Sequence, residues 1–138
     1  SEFNWISNLN QNPNDELNDL KKTVLYIKDD QLRNNHESIV ITDYQFIFSK
    51  FDIKNILINK WYHPGVSYPV ENGNQYFRLY KNFFLEKIRE NNVKKIYFIK
   101  PSLFKDSDYF LKTIFSDCNL KKTEPLKSLI IYDLKNCL

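Results

Sequence analysis

The spacing of apolar positions changes period several times along the chain. In "NPNDELNDLKKTVLYIKDDQL", Leu17, Leu20, Val24 and Ile27 recur at intervals of three and four, which is one face of a helix. Asn12 suits the N-cap and Pro13 the first helical position, and Asp15 and Glu16 suit the positive end of the helix dipole. The pattern predicts a helix over about residues 13–31. The preceding "NWISNLNQN" has no period and reads as irregular, with Trp5, Ile6 and Leu9 free to dock on the body or on a neighbour.

The period then shortens. "ESIVITDYQ" holds a compact apolar run that predicts a buried strand over 39–43, ending at Asp43. "YQFIFSKFD" predicts a short helix, and "KNILIN" a second strand over 55–59. After a loop, "NGNQYFRLYKNFFLEKIRENNV" places Phe77, Tyr80, Phe84 and Ile88 on one stripe with Phe83 beside it, predicting a helix over about 74–91. "VKKIYFIKP" predicts a strand over 95–100, stopped by Pro101. "DSDYFLKTIFSD" predicts a helix capped by Asp106 or Ser107, and "KSLIIYDLKNC" a last strand over 128–134. Short strands alternating with amphipathic helices predict an α/β fold, a three-layer α/β/α domain around a small, mostly parallel sheet of about four to five strands. Residues 13–138 are expected to form this single domain, after an irregular tail, 1–12, whose opening "SEF" looks like a cloning scar on an excised fragment.

Composition narrows the function classes. With 138 residues and 42% hydrophobic side chains the chain can bury a core. The net charge of +3 is spread over interspersed acids and bases, as in "LEKIRENNVKK", without the basic stripe or motif of a nucleic-acid binder. No apolar run approaches the roughly 20 residues that span a bilayer, and no signal peptide is visible. Abundant Asn, Lys, Ile, Phe and Tyr match the output of an AT-rich genome, so many lysines and tyrosines here need no ligand to account for them.

Catalytic motifs are missing. Gly65 and Gly73 do not make a dinucleotide fingerprint, and there is no phosphate-binding loop or nucleophile elbow, so no cofactor is expected. His36 and His63 stand apart from each other and from the cysteines, so no metal site is expected. Ser67 lies four residues from His63 in a loop, which is little to build a nucleophile on. Asp43 ends the first strand, where open α/β sheets bind ligands, and Lys100 and Asp133 could join it. The plainer role for Asp43 is to cap the short helix after it. Cys118 and Cys137 fit no zinc spacing; they are either two small residues of a reduced protein or a disulfide of an oxidising compartment.

The loop "INKWYHPGVSYP" concentrates scarce residue types. Pro64 and Pro69 stiffen it and Gly65 permits a turn. Trp61, Tyr62 and Tyr68 offer flat faces with polar handles, and His63 can donate or accept near neutral pH. Such a loop either contacts a sugar, lipid headgroup or partner protein, or covers the end of the sheet.

Several stretches together resemble a known family. "LYIKDDQLRNNHESIVITDYQFI", "NKWYHPGVSYP", "YKNFFLEKI", "KKIYFIKP" and the terminal "YDLKNC" are similar to the region after the last membrane helix in bacterial GT-C type glycosyltransferases, those related to dolichyl-phosphate-mannose protein mannosyltransferases. The resemblance implies that the chain is the C-terminal extracytoplasmic, periplasmic domain of a multi-spanning inner-membrane enzyme that uses a polyprenyl-phosphate-linked sugar. The catalytic acid of that family lies in an early loop not present here, so the isolated chain is expected to be inactive. Its partners would be the membrane-embedded half and a carbohydrate or lipid-linked sugar, with no nucleic acid. Trp61, Tyr62, His63 and Tyr68 would then shape the acceptor site or dock the domain. An extracytoplasmic location would oxidise the thiols, and folding back about Lys127–Ser128 would set Cys118 opposite Cys137, so the two are expected to be bridged. The competing classes are a free-standing cytosolic α/β enzyme or ligand-binding domain with its site at the strand ends around Asp43, and a pure interaction domain.

Overall fold

The structure, a computed structural model, describes residues 12–60, 62, 65–70, 74–100 and 106–137. Helix α1 (Pro13–Asn34) leads into strand β1 (Glu37–Ile41) and the one-turn helix α2 (Ile47–Lys50). Helix α3 (Phe77–Glu90), strand β2 (Val93–Ile99) and helix α4 (Ser107–Ile114) follow, and a hairpin of β3 (Lys121–Leu126) and β4 (Leu129–Asp133) closes the domain. The four strands form one mixed sheet in the order β1-β2-β4-β3. β1 and β2 run parallel, while β2–β4 and β4–β3 are antiparallel.

The expected α/β architecture follows from side-chain alternation. Successive strand residues face opposite sides of a sheet. Ile39, Ile41, Ile96, Phe98, Ile130 and Tyr132 therefore join Phe84, Ile88, Phe110 and Leu111 of α3 and α4 in one core. Val40, Tyr97, Ile99, Leu129 and Ile131 join Leu20, Val24 and Ile27 of α1 in a second core on the other face. β2 lies inside the sheet between β1 and β4, and its Ile96, Tyr97 and Ile99 are fully buried.

The helix boundaries have local causes. Asn12 caps α1 by accepting from the N–H groups of Asn14 and Asp15, and Asn35 closes the helix in the left-handed region at φ 42°. Of the two candidates for the α4 cap, Asp106 is the one used, accepting from Tyr109 N–H at 3.0 Å. α2 begins instead after Phe46 with no side-chain cap, so Asp43, three residues earlier, does not cap it.

No strand forms at residues 55–59, where the apolar run predicted one. The segment does lie along the free edge of β1, with Ile56 N–H donating to Ser38 C=O at 2.8 Å. Two side-chain amides take the places that a ladder would occupy. Val40 N–H donates to Asn55 Oδ1 at 2.8 Å. Gln31 of α1 donates to Lys54 C=O at 2.8 Å and to Ser38 Oγ at 2.7 Å, and accepts from Lys54 N–H at 3.2 Å. The β1 edge is thus covered without strand pairing. At the other edge, β3 is exposed, carries Lys121 and Lys122, and changes register between Thr123 and Leu126, where Pro125 has no N–H to give.

Replacing Gln31 by Leu keeps the bulk but leaves the Lys54 amide unpaired against a buried edge. Urea unfolding should show a loss of about 1–3 kcal/mol, the usual cost of a stranded polar group. A neutral outcome would mean that water replaces the amide.

Candidate functional site

Three polar constellations stand out from the apolar cores. The first lies at the end of the sheet where β1 and β2 begin. Asp30, buried on α1, accepts from Tyr97 Oη at 2.5 Å, from Lys95 Nζ at 2.8 Å and from Asn34 Nδ2 at 2.8 Å. The Tyr97 proton is committed to Asp30, so at 3.1 Å from His36 Nε2 the phenol oxygen accepts. Burial pushes the Asp30 carboxyl up, but the hydrogen bonds from Lys95 and Tyr97 outweigh it and hold the group below the ordinary carboxylate value. Burial, then the Lys95 charge, push the His36 imidazole down despite the nearby carboxylates of Asp30, Asp133 and Glu37. Asp30, His36 and Tyr97 are buried, and together these groups join α1, the residue before β1, and β2, which suits a structural pin.

The second constellation fixes α4 to the hairpin. Tyr132 Oη donates to Asp108, Ser107 Oγ lies 2.9 Å from the same hydroxyl, and Lys122 Nζ donates to Asp108 at 2.9 Å. Its hydrogen bond to Tyr132 and the Lys122 ammonium hold Asp108 below the ordinary carboxylate value.

The third is a cavity of about 760 Å³ at the opposite end of the sheet, where β1 and β2 finish. Glu16, Asp19, Leu20 and Lys22 of α1 line one side, and Tyr44, Lys100 and the hairpin-turn residues Leu126, Lys127 and Ser128 line the other. Glu16 is only 4% exposed, and Tyr44 Oη donates to its Oε1 at 2.6 Å. Burial, then the Glu16 hydrogen bond and charge, push the Tyr44 phenol far up, so it remains a proton donor at any physiological pH. Thr23 of α1 hydrogen-bonds Ser128, and Lys100 N–H donates to Ser128 C=O at 2.7 Å, so helix, turn and strand end are tied together beside the cavity.

The sequence candidates fall out differently. Lys100 lines the cavity but Asp43 does not; its neighbour Tyr44 does. Asp133 pairs with Lys95, at the far end of β2 from Lys100, because β4 runs antiparallel to β2. Asp43, Lys100 and Asp133 are therefore not one site. Tyr62 and Tyr68 of the aromatic loop are each 7% exposed. Tyr68 packs on Phe110 with ring centroids 4.8 Å apart and on Tyr80 at 5.8 Å, and Tyr62 meets Phe110 edge-on at 5.7 Å. Gly65 holds the turn at φ 73°, closed by its N–H to Tyr68 C=O at 2.9 Å. Both tyrosines thus cover the core, while Trp61 and His63 lie outside the described residues. Glu16 was missed because the sequence marks it only as a helix-dipole acid. The available signal was its place on the apolar stripe, four residues before Leu20.

Cys118 and Cys137 form a disulfide with Cα atoms 5.4 Å apart. The hairpin turns at Lys127–Ser128, the fold-back expected from the sequence. Among the described residues no three His, Cys, Asp or Glu side chains gather as a metal ion needs, and no helix is long and apolar enough to cross a membrane. No protein-family model, curated protein or solved structure matches the chain.

The His36 shift has a definite sign. The folded state holds the imidazole neutral, so the unfolded chain, at its ordinary value of 6.5, binds the proton more readily. Stability should be complete above that value and fall as pH drops below it. Asp30 acts lower, its contribution present above 3.8 and lost below it. Denaturant midpoints measured across this range should slope for the native chain and flatten for His36→Gln, which keeps an amide donor for Tyr97. A variant that retains the slope would assign it to another group.

Proposed function

We propose that the chain is the C-terminal extracytoplasmic domain of a GT-C type membrane glycosyltransferase acting with a polyprenyl-phosphate-linked sugar, and that it serves the enzyme without performing its chemistry. The observation that carries this reading is the Cys118–Cys137 disulfide, because such bonds persist in oxidising compartments and are rare in the cytosol. The resemblance of "VITDYQFI", "NKWYHPGVSYP" and "YDLKNC" to that region of those enzymes supports it from a separate direction. On this reading the domain sits at the periplasmic face of the inner membrane, with the membrane-embedded half of the same protein as its partner. The loop around Trp61 and His63 meets that half or the acceptor. Tyr62 and Tyr68 act from inside, holding the loop on the core of the domain.

Thiol titration of protein exported to the periplasm and purified without reductant should find no free thiol. Reduction should then lower the unfolding free energy by about 3 kcal/mol, the chain-entropy value for closing the 19-residue separation. Two free thiols in exported protein would refute the oxidising location.

A second measurement addresses the loop. In the full-length enzyme, Trp61→Ala combined with His63→Ala should reduce sugar transfer while leaving the melting temperature of the isolated domain nearly unchanged. A large fall in that temperature would make the pair structural cover, like Tyr62 and Tyr68.

A further inference from the structure

We propose that the cavity at the carboxyl ends of β1 and β2 binds a phosphate monoester, its charged head among the lysines of the rim and its apolar group inside. This inference does not depend on the compartment or on the parent enzyme.

The lining is sorted by depth. Lys22 and Lys127 are exposed, Lys100 and Leu126 are half-buried, and Leu20 is buried. Lys22 belongs to α1, Lys100 follows β2 and Lys127 lies in the hairpin turn, so three elements bring an ammonium group to one opening. A cleft with apolar walls focuses such charges on what enters. Among the described residues neither Lys22 nor Lys127 has an ion-pair partner. Lys100 has one, Glu124 at 3.5 Å, but that pair is part-exposed and Glu124 is shared with Lys122, so it holds Lys100 weakly. One exposed acid, Asp19, stands at the same rim. Three ammonium groups less one carboxylate leave two positive charges there. A phosphate monoester, with about 1.5 to 2 negative charges near neutral pH, matches that excess better than a carboxylate does.

The floor decides which end of the ligand goes in. Glu16 is already withdrawn from water and bound to the Tyr44 hydroxyl, so covering it costs little further hydration, and its charge turns an anionic head outward. Leu20 and Leu126 remain to receive an apolar group.

Position and size agree with this. Open α/β sheets bind ligands beyond the carboxyl ends of their strands. The volume of about 760 Å³ suits a small molecule. The walls are also braced before any ligand arrives, because Thr23, Ser128 and the Lys100 backbone lock helix, turn and strand together. A ligand that binds there has little chain left to order.

The test uses phenyl phosphate, inorganic phosphate and phenol, each titrated into the isotope-labelled chain by NMR. Phenyl phosphate should move the amides of Leu20, Lys22, Leu126, Lys127 and Ser128 and bind at least about tenfold more tightly than either half. Lys22→Gln combined with Lys127→Gln, both exposed changes, should weaken phenyl phosphate and inorganic phosphate by about tenfold or more but leave phenol unchanged. Asp19→Asn, which removes the acid of the rim, should tighten both phosphates. Phenol binding as tightly as phenyl phosphate would overturn the proposal, leaving an apolar pocket. Inorganic phosphate binding as tightly would overturn it too, leaving a plain anion site. So would the absence of shifts at these amides at tens of millimolar probe, or phosphate affinities that neither variant alters. Phosphatidylcholine vesicles with and without phosphatidic acid separate two sources of the same chemistry. Co-sedimentation that needs phosphatidic acid and that the lysine variant weakens assigns a lipid phosphate, and binding of phenyl phosphate without sedimentation assigns a soluble ester.

Discussion

The structure depends on a mismatch in length. At 22 residues α1 is about 33 Å long, while β2, the longest strand at seven residues, covers about 23 Å. A helix laid along the sheet must therefore overhang it, and its inward face cannot be apolar from end to end. Leu20, Val24 and Ile27 fill the middle of that face, over Tyr97, Ile99, Leu129 and Ile131. Beyond them the same face turns polar at both ends, with Glu16 on one side and Asp30 and Gln31 on the other, all buried. Each overhang then has to satisfy its polar groups, and the two polar constellations that α1 shares with the sheet are where this happens.

The sheet has an equivalent problem at its edges. β2 and β4 lie inside with neighbours on both sides, but β1 and β3 would each offer unpaired backbone to any passing strand. The β1 edge is closed by Gln31 and Asn55, whose amides imitate backbone groups, and the former of these comes from the α1 overhang. The β3 edge relies on lysines and on Pro125, with the Cys118–Cys137 bond beyond the open end of the hairpin. One overhanging helix thus supplies packing for a face, protection for an edge and part of the lining of a cavity.

This explains which parts of the sequence could be read directly. Apolar period reports burial against a broad partner, so α1, α3, α4 and the strands expected at 39–43, 95–100 and 128–134 were legible from it, although β1 and β2 each begin two residues earlier, at Glu37 and Val93. The hairpin at Lys127–Ser128 was legible only through the two cysteines, because β3 is an exposed edge strand with no apolar alternation to betray it. The run "KNILIN" misled because Ile56 and Ile58 are half-buried against the core, as a strand's would be, while the hydrogen bonding comes from side chains. Tyr62 and Tyr68 carry the same composition whether a loop faces outward or inward, and the direction is set by Phe110 and Tyr80, far off in sequence. Glu16, Asp30 and Gln31 were visible as polar residues in register with an apolar stripe. That pattern locates a buried polar group, but its partners, Tyr44, Lys95, Tyr97 and Lys54, come from elsewhere in the chain.

The two buried carboxylates of α1 meet the same physical cost in different ways. An ionised acid removed from water costs several kcal/mol unless its lone pairs are taken up, so its surroundings record what it is for. Asp30 is enclosed by an ammonium, a phenol and an amide within 2.8 Å, and the imidazole beyond the phenol completes the shell. That arrangement converts a charge into a joint between α1, the start of β1 and β2. Glu16 accepts the Tyr44 hydroxyl and lines the cavity together with Lys22, Lys100 and Lys127. A leucine at position 16 would continue the stripe of Leu20 and Val24 at no electrostatic cost. The charge instead ties α1 to Tyr44, just beyond the end of β1, as the Asp30 charge ties it to Tyr97 at the other end of the sheet.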